Sequence, residues 1–222
     1  MSEPVTDVWS QRADAYRDAP EQREGEDLDL IVEWAREAGL AGGGTALDVA
    51  TGGGHVTRRL REAGLKVVSA DPAPGMNPDV ICPAEHLPFA TSSFDLVVTR
   101  IAPHHFEDIA LAVGEMARVA GTLLIVEDTL YESEAVEEAE KLRDPTHVSS
   151  YSEHEWRAFF EAAGFEVEEV EVVEKRHPLE EWLARTGTTE PAATRVRELL
   201  AGHIEGDEYV DRKILLKGRK TA

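Results

Sequence analysis

Residues Thr45 to Arg58 read TALDVATGGGHVTR. A short apolar run with one aspartate ends in three successive glycines, and helix-forming sequence follows. A buried strand, a glycine turn and a helix in that order indicate a layered α/β chain, with the turn at the carboxyl edge of a sheet. Glycines there let a ligand approach the backbone closely. Which nucleotide they admit is the first question the sequence poses.

The rest of the chain repeats the alternation. A helix is expected over 26–38, with Leu28, Ile31, Val32 and Ala35 on one face and Gly39 as its stop. Strands are expected at 45–51, 66–70, 79–82, 94–99 and 121–127. Helices are expected at 54–63, 107–119 and 133–142, and at 152–164 behind the Ser152/Glu155 capping box. After these come a strand at 165–175, a helical stretch over 178–203 and a last strand at 208–218, with KILLKGRK ending in a frayed tail. Such alternation gives a Rossmann-like, doubly wound, seven-stranded sheet. It is mostly parallel, and the late strand pair adds one antiparallel strand near the edge. The reading is one domain over 1–222, with a helical cover at 1–40 and a cap insert at 175–206. Ligands of such sheets bind beyond the carboxyl ends of the strands, where the strand order reverses.

Charge narrows the partners. The 222 residues carry 44 acids against 23 Lys and Arg, a net charge of −21. Only 6 of the basic residues are lysine. Acids spread along the whole chain repel one another in dilute buffer and are screened in salt, which points to a halophilic protein. The same charge argues against a bare nucleic-acid surface. The N-terminal sequence lacks a signal-peptide pattern, the longest apolar run is too short to span a bilayer, and Cys82 is alone, so a cytoplasmic setting is expected.

A dinucleotide fingerprint would need glycine or alanine where Thr57 stands, and a phosphate loop would need Gly-Lys-Ser/Thr. Neither is present. What stands here is Asp48, Ala50, Gly52, Gly54. This motif resembles that of the class I, seven-stranded S-adenosylmethionine-dependent methyltransferases, with Ala50 in place of their first glycine. Asp71 ends the second strand in VVSADP, where a carboxylate can accept from ribose hydroxyls. The resemblance continues in AEHLPF (84–89) and SFDLV (93–97), in RIAPHHF (100–106) and in RDPTHV (143–148). It covers most of the chain, and the HHF stretch is similar to the ubiquinone/menaquinone C-methyltransferase-like (type 11) branch. It implies S-adenosyl-L-methionine as cofactor and S-adenosyl-L-homocysteine as product. The implied cofactor residues are Asp48, Ala50, Gly52, Gly54, Asp71, Pro72, Met76, Ala84, Glu85, Arg100 and Tyr16. Pro83 departs from the family, since relatives carry there an aspartate that meets the adenine.

Methyl transfer from a sulfonium needs alignment and exclusion of water, and a base only if the nucleophile arrives protonated. His104 and His105 follow the fourth strand and are the catalytic candidates, with no preference between them. Arg100 either meets a carboxylate of cofactor or substrate or pairs with a surface acid. His147 and Tyr151 either face substrate or pack a loop. Tyr16 either closes over the cofactor or packs its helix. Trp182 and Leu183 either cap the pocket or cover the sheet. No cluster has metal-ligand spacing. Val80 and Ile81, on an expected edge strand, suit a small zinc-binding methyltransferase activator, as in some enzymes of this fold; flanking Pro78 and Pro83 suit an edge that is merely protected. The expected function is methyl transfer to a small-molecule acceptor. The alternatives are a cofactor-binding subunit working with such an activator, on a tRNA or protein substrate, and a nicotinamide oxidoreductase, which Thr57 argues against.

Overall fold

A computed structural model describes residues 5–18 and 23–221, leaving aside the side chains of 5, 15, 16 and 18. The sheet grows from β1 (Thr45–Val49), which pairs in parallel with β2 (Lys66–Asp71) on one side and β4 (Phe94–Arg100) on the other. β3 (Val80–Ile81) extends it past β2, and β5 (Ala120–Thr129) past β4. The chain then doubles back. β6 (Phe165–Pro178) and β8 (Glu208–Lys220) form a long antiparallel pair, and β8 inserts between β5 and β6, giving the order β3-β2-β1-β4-β5-β8-β6. β8 is thus the antiparallel strand, one place in from the edge, and a two-residue β7 (Ile204–Glu205) joins it as an eighth strand. The expected frayed tail is corrected: β8 runs to Lys220, whose Nζ donates to the carbonyls of Ala117 and Ala120.

Strand alternation sorts the core into two layers. Leu47, Val49, Val97, Leu124 and Val126 face α4 (Ile109–Val119) and α6 (Glu153–Ala162). Ala46, Leu96, Val98, Leu123 and Ile125 face α2 (Glu26–Glu37) and α3 (His55–Glu62). A third cluster joins α5 (Glu134–Arg143), α7 (Leu179–Arg185) and α8 (Ala192–Leu199) to Tyr209 of β8. The helical stretch expected over 178–203 comprises two helices, separated around Gly187 at φ +75°. Only the first part of β8 beyond Thr129's partner, Lys213, extends past β5, and these helices lie over it.

Strand order reverses between β1 and β4, so their carboxyl ends splay a crevice open. α1 (Val5–Asp18) lies against it. Its Ser10 backbone sits where a Cβ on Gly75 would be, 2.6 Å away, so only glycine admits the helix there. Among the described residues no helix is long and apolar enough to cross a membrane.

Behind the crevice, on the α2 face, four charges are buried together. Arg100 Nε lies 2.7 Å from Asp27 and 3.0 Å from Glu127, and Lys175 Nζ is 2.7 Å from Asp27. Burial pushes Glu127 up to about 8, against the pull of Arg100. Burial acts on Asp27 too, but Arg100 and Lys175 outweigh it and hold Asp27 at about 2. A carboxyl raised in the fold contributes stability fully present below its unfolded value and lost as pH rises through its folded one. Thermal unfolding midpoints should therefore fall between pH 4.5 and about 8. Glu127→Gln should flatten that fall, while Arg100→Met, which takes the close cation from Glu127 and leaves Asp27 with Lys175 alone, should cost about 3–5 kcal/mol in chemical denaturation.

Candidate active site

The crevice is the mouth of a cavity of about 570 Å³, in the range of small-molecule sites. Its outer wall is the glycine turn. Ala50, at the end of β1, has φ +55°, and Gly52 follows at +51°. A Cβ on Gly52 would meet no heavy atom closer than 4.0 Å, so the space over the turn is open. Ile101, directly after β4, also has φ +52°. A β-branched residue in that region is a genuine outlier. Both strained positions line the cavity, at the two strands that flank the reversal.

Asp48 sits under the turn. Its Oδ2 accepts from Thr51 Oγ1 at 2.6 Å, Thr57 N at 3.0 Å and Thr57 Oγ1 at 2.7 Å. Thr57, which breaks the dinucleotide fingerprint, is thus the residue that clamps Asp48. Oδ1 takes no hydrogen bond from the described residues, and burial lifts the carboxyl to about 6. Asp71, at the end of β2, accepts from Gly52 N at 3.0 Å and Ala73 N at 2.9 Å, tying the two loops together. Burial raises its pKa as well.

Of the residues proposed from sequence, Asp48, Ala50, Gly52, Asp71, Pro72, Met76, Ala84, Glu85, Arg100, His104 and His105 all line this cavity. Gly54 does not: it caps α3 at φ +76° and faces a separate, shallower cleft. The Glu85 carboxylate accepts from the backbone of Glu107 and Asp108. Arg100 reaches the wall, yet its partners are the buried Asp27 and Glu127 rather than a surface acid. Tyr16 lies in α1, with its side chain outside the described residues. Trp9 of the same helix does line the cavity, with its ring 4.7 Å from that of His105. Its spacing of four from Ala13 was the available signal.

The histidines form a stack. His104 Nδ1 lies 2.5 Å from Asp128 Oδ1, and its ring is 4.0 Å from His105 and 5.2 Å from His147. His105 Nδ1 faces the Thr146 carbonyl at 3.0 Å. Burial holds both His104 and His105 well below the usual imidazole value, so both are neutral near pH 7. Burial pushes Asp128 up to about 7. His147 is bound to Glu137 at 3.2 Å, and Tyr151 packs edge-on against Trp156 and Phe159. Neither lines the cavity, which corrects the substrate-facing option for both. Trp182 lines it, while Leu183 packs in the cluster behind. Sequence reading ended the fifth strand at Glu127 and so missed Asp128.

A doubly wound sheet with this cavity at its reversal, two acids at the ends of β1 and β2 and no phosphate-binding loop, is the arrangement of the class I methyltransferases. The methyltransferase-domain family model matches residues 19–170, and the chain belongs to that family. It is 30% identical over 202 residues to the uncharacterized methyltransferase YcgJ of Bacillus subtilis, covering 81% of this chain and 79% of that one. A Bacillus halodurans crystal structure, of a protein classed as a methyltransferase, superposes with a TM-score of 0.78 at 29% identity, over 89% of this chain and all of that one. A Haloferax volcanii methyltransferase solved with the Trm112 methyltransferase activator shares the fold, with a TM-score of 0.65 and 20% identity over the full length of both chains. The protein is an S-adenosylmethionine-dependent methyltransferase. The open turn and the unspent Oδ1 of Asp48 fit the cofactor's amino-acid end, which is a zwitterion needing close backbone and an acceptor.

Ala50 is the one residue of the turn whose backbone disagrees with its side chain. Left-handed backbone costs an L-residue about 1–2 kcal/mol, and glycine's extra unfolded freedom returns about 0.5–1. Ala50→Gly should therefore stabilise by up to about 1 kcal/mol, and Ala50→Val should destabilise, both read from urea unfolding midpoints.

Proposed function

We propose that the chain methylates a small-molecule acceptor, with His104 as the general base. The observation that supports this is one continuous cavity reaching from the glycine turn past His104 and His105. The cofactor supplies a methyl group on a positively charged sulfur, already bonded to a good leaving group. Asp48, Gly52 and the Asp71-bound loop hold the cofactor, with Pro72, Met76, Ala84 and Glu85 around its nucleoside. Arg100 acts as their support. Trp9 of α1 shields the reacting end from water, as the fold's chemistry requires.

His104 suits the base for a reason His105 lacks. When Asp128 is ionised it accepts from Nδ1–H, which leaves Nε2 with a free lone pair and steadies the imidazolium that forms. When Asp128 is protonated the bond reverses, Nε2 carries the proton, and the base is off. Turnover should therefore be lost as pH falls through about 7, the value to which burial lifts Asp128. With an acceptor found by screening, His104→Ala should lower kcat by about 10²–10⁴-fold and leave S-adenosylhomocysteine affinity unchanged. Calorimetry of that product, at low and at molar salt, tests the cofactor site. Asp71→Asn should weaken binding at least about tenfold, in line with a lost charge-assisted bond. Absence of wild-type binding at either salt sinks the proposal. Binding that improves with salt supports a halophilic, cytoplasmic setting, for which the acid excess is the argument. The C-methyltransferase-like branch rests on RIAPHHF alone.

A second reading has one observation behind it. β3 is a two-residue edge strand, and its Ile81 is 60% exposed. An activator like that of the Haloferax complex would add a strand there. Co-expression with such a protein should raise the soluble yield and protect backbone amides of 79–82 from hydrogen exchange; identical yield and exchange would count against it.

A further inference from the structure

The cavity does not stop at the histidines. It continues under α7 and over the far half of β8, where Glu140, Arg143, His177, Trp182, Asp211 and Lys213 line it. Charges this deep cost several kcal/mol each unless they are paired. The acids here are fully paired. Asp211 meets His177 Nε2 at 3.4 Å through Oδ1 and Lys213 through Oδ2. Glu140 accepts from Tyr209 OH at 3.4 Å and from Arg143 Nη1 at 3.3 Å.

The donors are not all used. Lys213 gives one proton to Thr129 Oγ1 at 2.8 Å and one to Asp211, and it has a third. Arg143 gives Nε–H to the Trp182 carbonyl at 3.2 Å, while its Nη2 binds none of the described residues. Its guanidinium is held over the Trp182 ring, 4.0 Å from the centroid, so the direction of that free edge is set. His177 Nδ1 is buried and has no partner among the described residues, but with Nε2–H on Asp211 it is the acceptor nitrogen of a neutral ring and adds no donor. Burial works against the charge on Lys213, but Asp211 outweighs it and keeps the ammonium charged.

A chamber whose acids are spent and whose two cations keep spare N–H groups favours a ligand that accepts. We propose that it seats a carboxylate of the methyl acceptor on Arg143 Nη2 and the Lys213 ammonium, so that the substrate is a small carboxylic acid. The proposal rests on the methyltransferase reading above. A phosphate dianion fits less well, because Arg143 and Lys213 each already carry an acid, Glu140 and Asp211.

The test is ligand-observed NMR and calorimetry on the whole chain saturated with S-adenosylhomocysteine. The probes are benzoate and 3-phenylpropanoate, their primary amides, and phenyl phosphate. The acids should bind at least about tenfold more tightly than the amides and the phosphate. Arg143→Gln and Lys213→Met should erase the preference while product affinity stays unchanged. Equal binding of acid and amide, no binding of either acid, tighter binding of the phosphate, or preference intact in both variants would each overturn the proposal. The acid–amide comparison needs only wild type, so a variant that misfolds does not remove the test. Product affinity is read on the same samples. Its failure would count against the methyltransferase reading, and the acid titration without product would still decide the chamber.

Discussion

Two adjacent acids at the end of β5 cannot face the same side of a sheet. Glu127 and Asp128 are both fully buried, so each layer receives one carboxylate that it must neutralise. On the α2 side that demand gathers Arg100, Asp27 and Lys175, drawn from β4, α2 and β6. On the other side it gathers His104, with His105 and His147 stacked beside it. A lone buried charge is ruinous, whereas a paired one roughly breaks even with apolar packing, so these groups add little net stability but admit only one arrangement. The arrangement fixes the end of β4 from both faces, and the end of β4 is one lip of the crevice. Site geometry thus depends on an electrostatic constraint set one strand away from it.

Strain has the same address. Ala50 and Ile101 hold left-handed backbone at the ends of β1 and β4, the two strands between which the order reverses. Glycine would relieve Ala50. Ile101 has a partial reason: its N–H donates to the Glu127 carbonyl at 2.8 Å, which carries the sheet's bonding one residue past β4 before the chain turns to His104. Clamping by β5 on both sides is what lets the strained turn persist.

Much of this was legible in the sequence, for physical reasons that also mark the limit. Strand and helix periods are local, so the order of elements and the sheet class could be read from residues such as Leu28, Ile31, Val32 and Ala35. Glycine at Gly52 announces backbone approach, and an acid two strands' ends apart at Asp48 and Asp71 announces a crevice between them. What failed to show were pairings across the chain. Thr57 looked like a defect in one motif and is the clamp of another. Arg100 reads as the partner of a ligand carboxylate or a surface acid and is bound by the buried Asp27, 73 residues away. Trp9 was passed over because its one local signal, the spacing of four from Ala13, is weak in a helix this polar. Asp211 and Lys213 sit on a strand that mixes charged and apolar residues, and only the fold shows that their side of it is a cavity wall; Asp128 sits directly past an apolar run, and only the fold brings His104 to it.

The acid excess looks at first like a surface property, yet the interior tells a different story. Of the six lysines in the chain, Lys175, Lys213 and Lys217 are in ion pairs and largely buried at their side chains. A chain that has nearly removed lysine from its surface has kept it where a compact ammonium meets a carboxylate out of water. Screening by salt acts on the exposed acids and hardly on these pairs. Changing ionic strength therefore tunes the repulsion of the shell while leaving the constraint at the end of β5, and the crevice it shapes, unchanged.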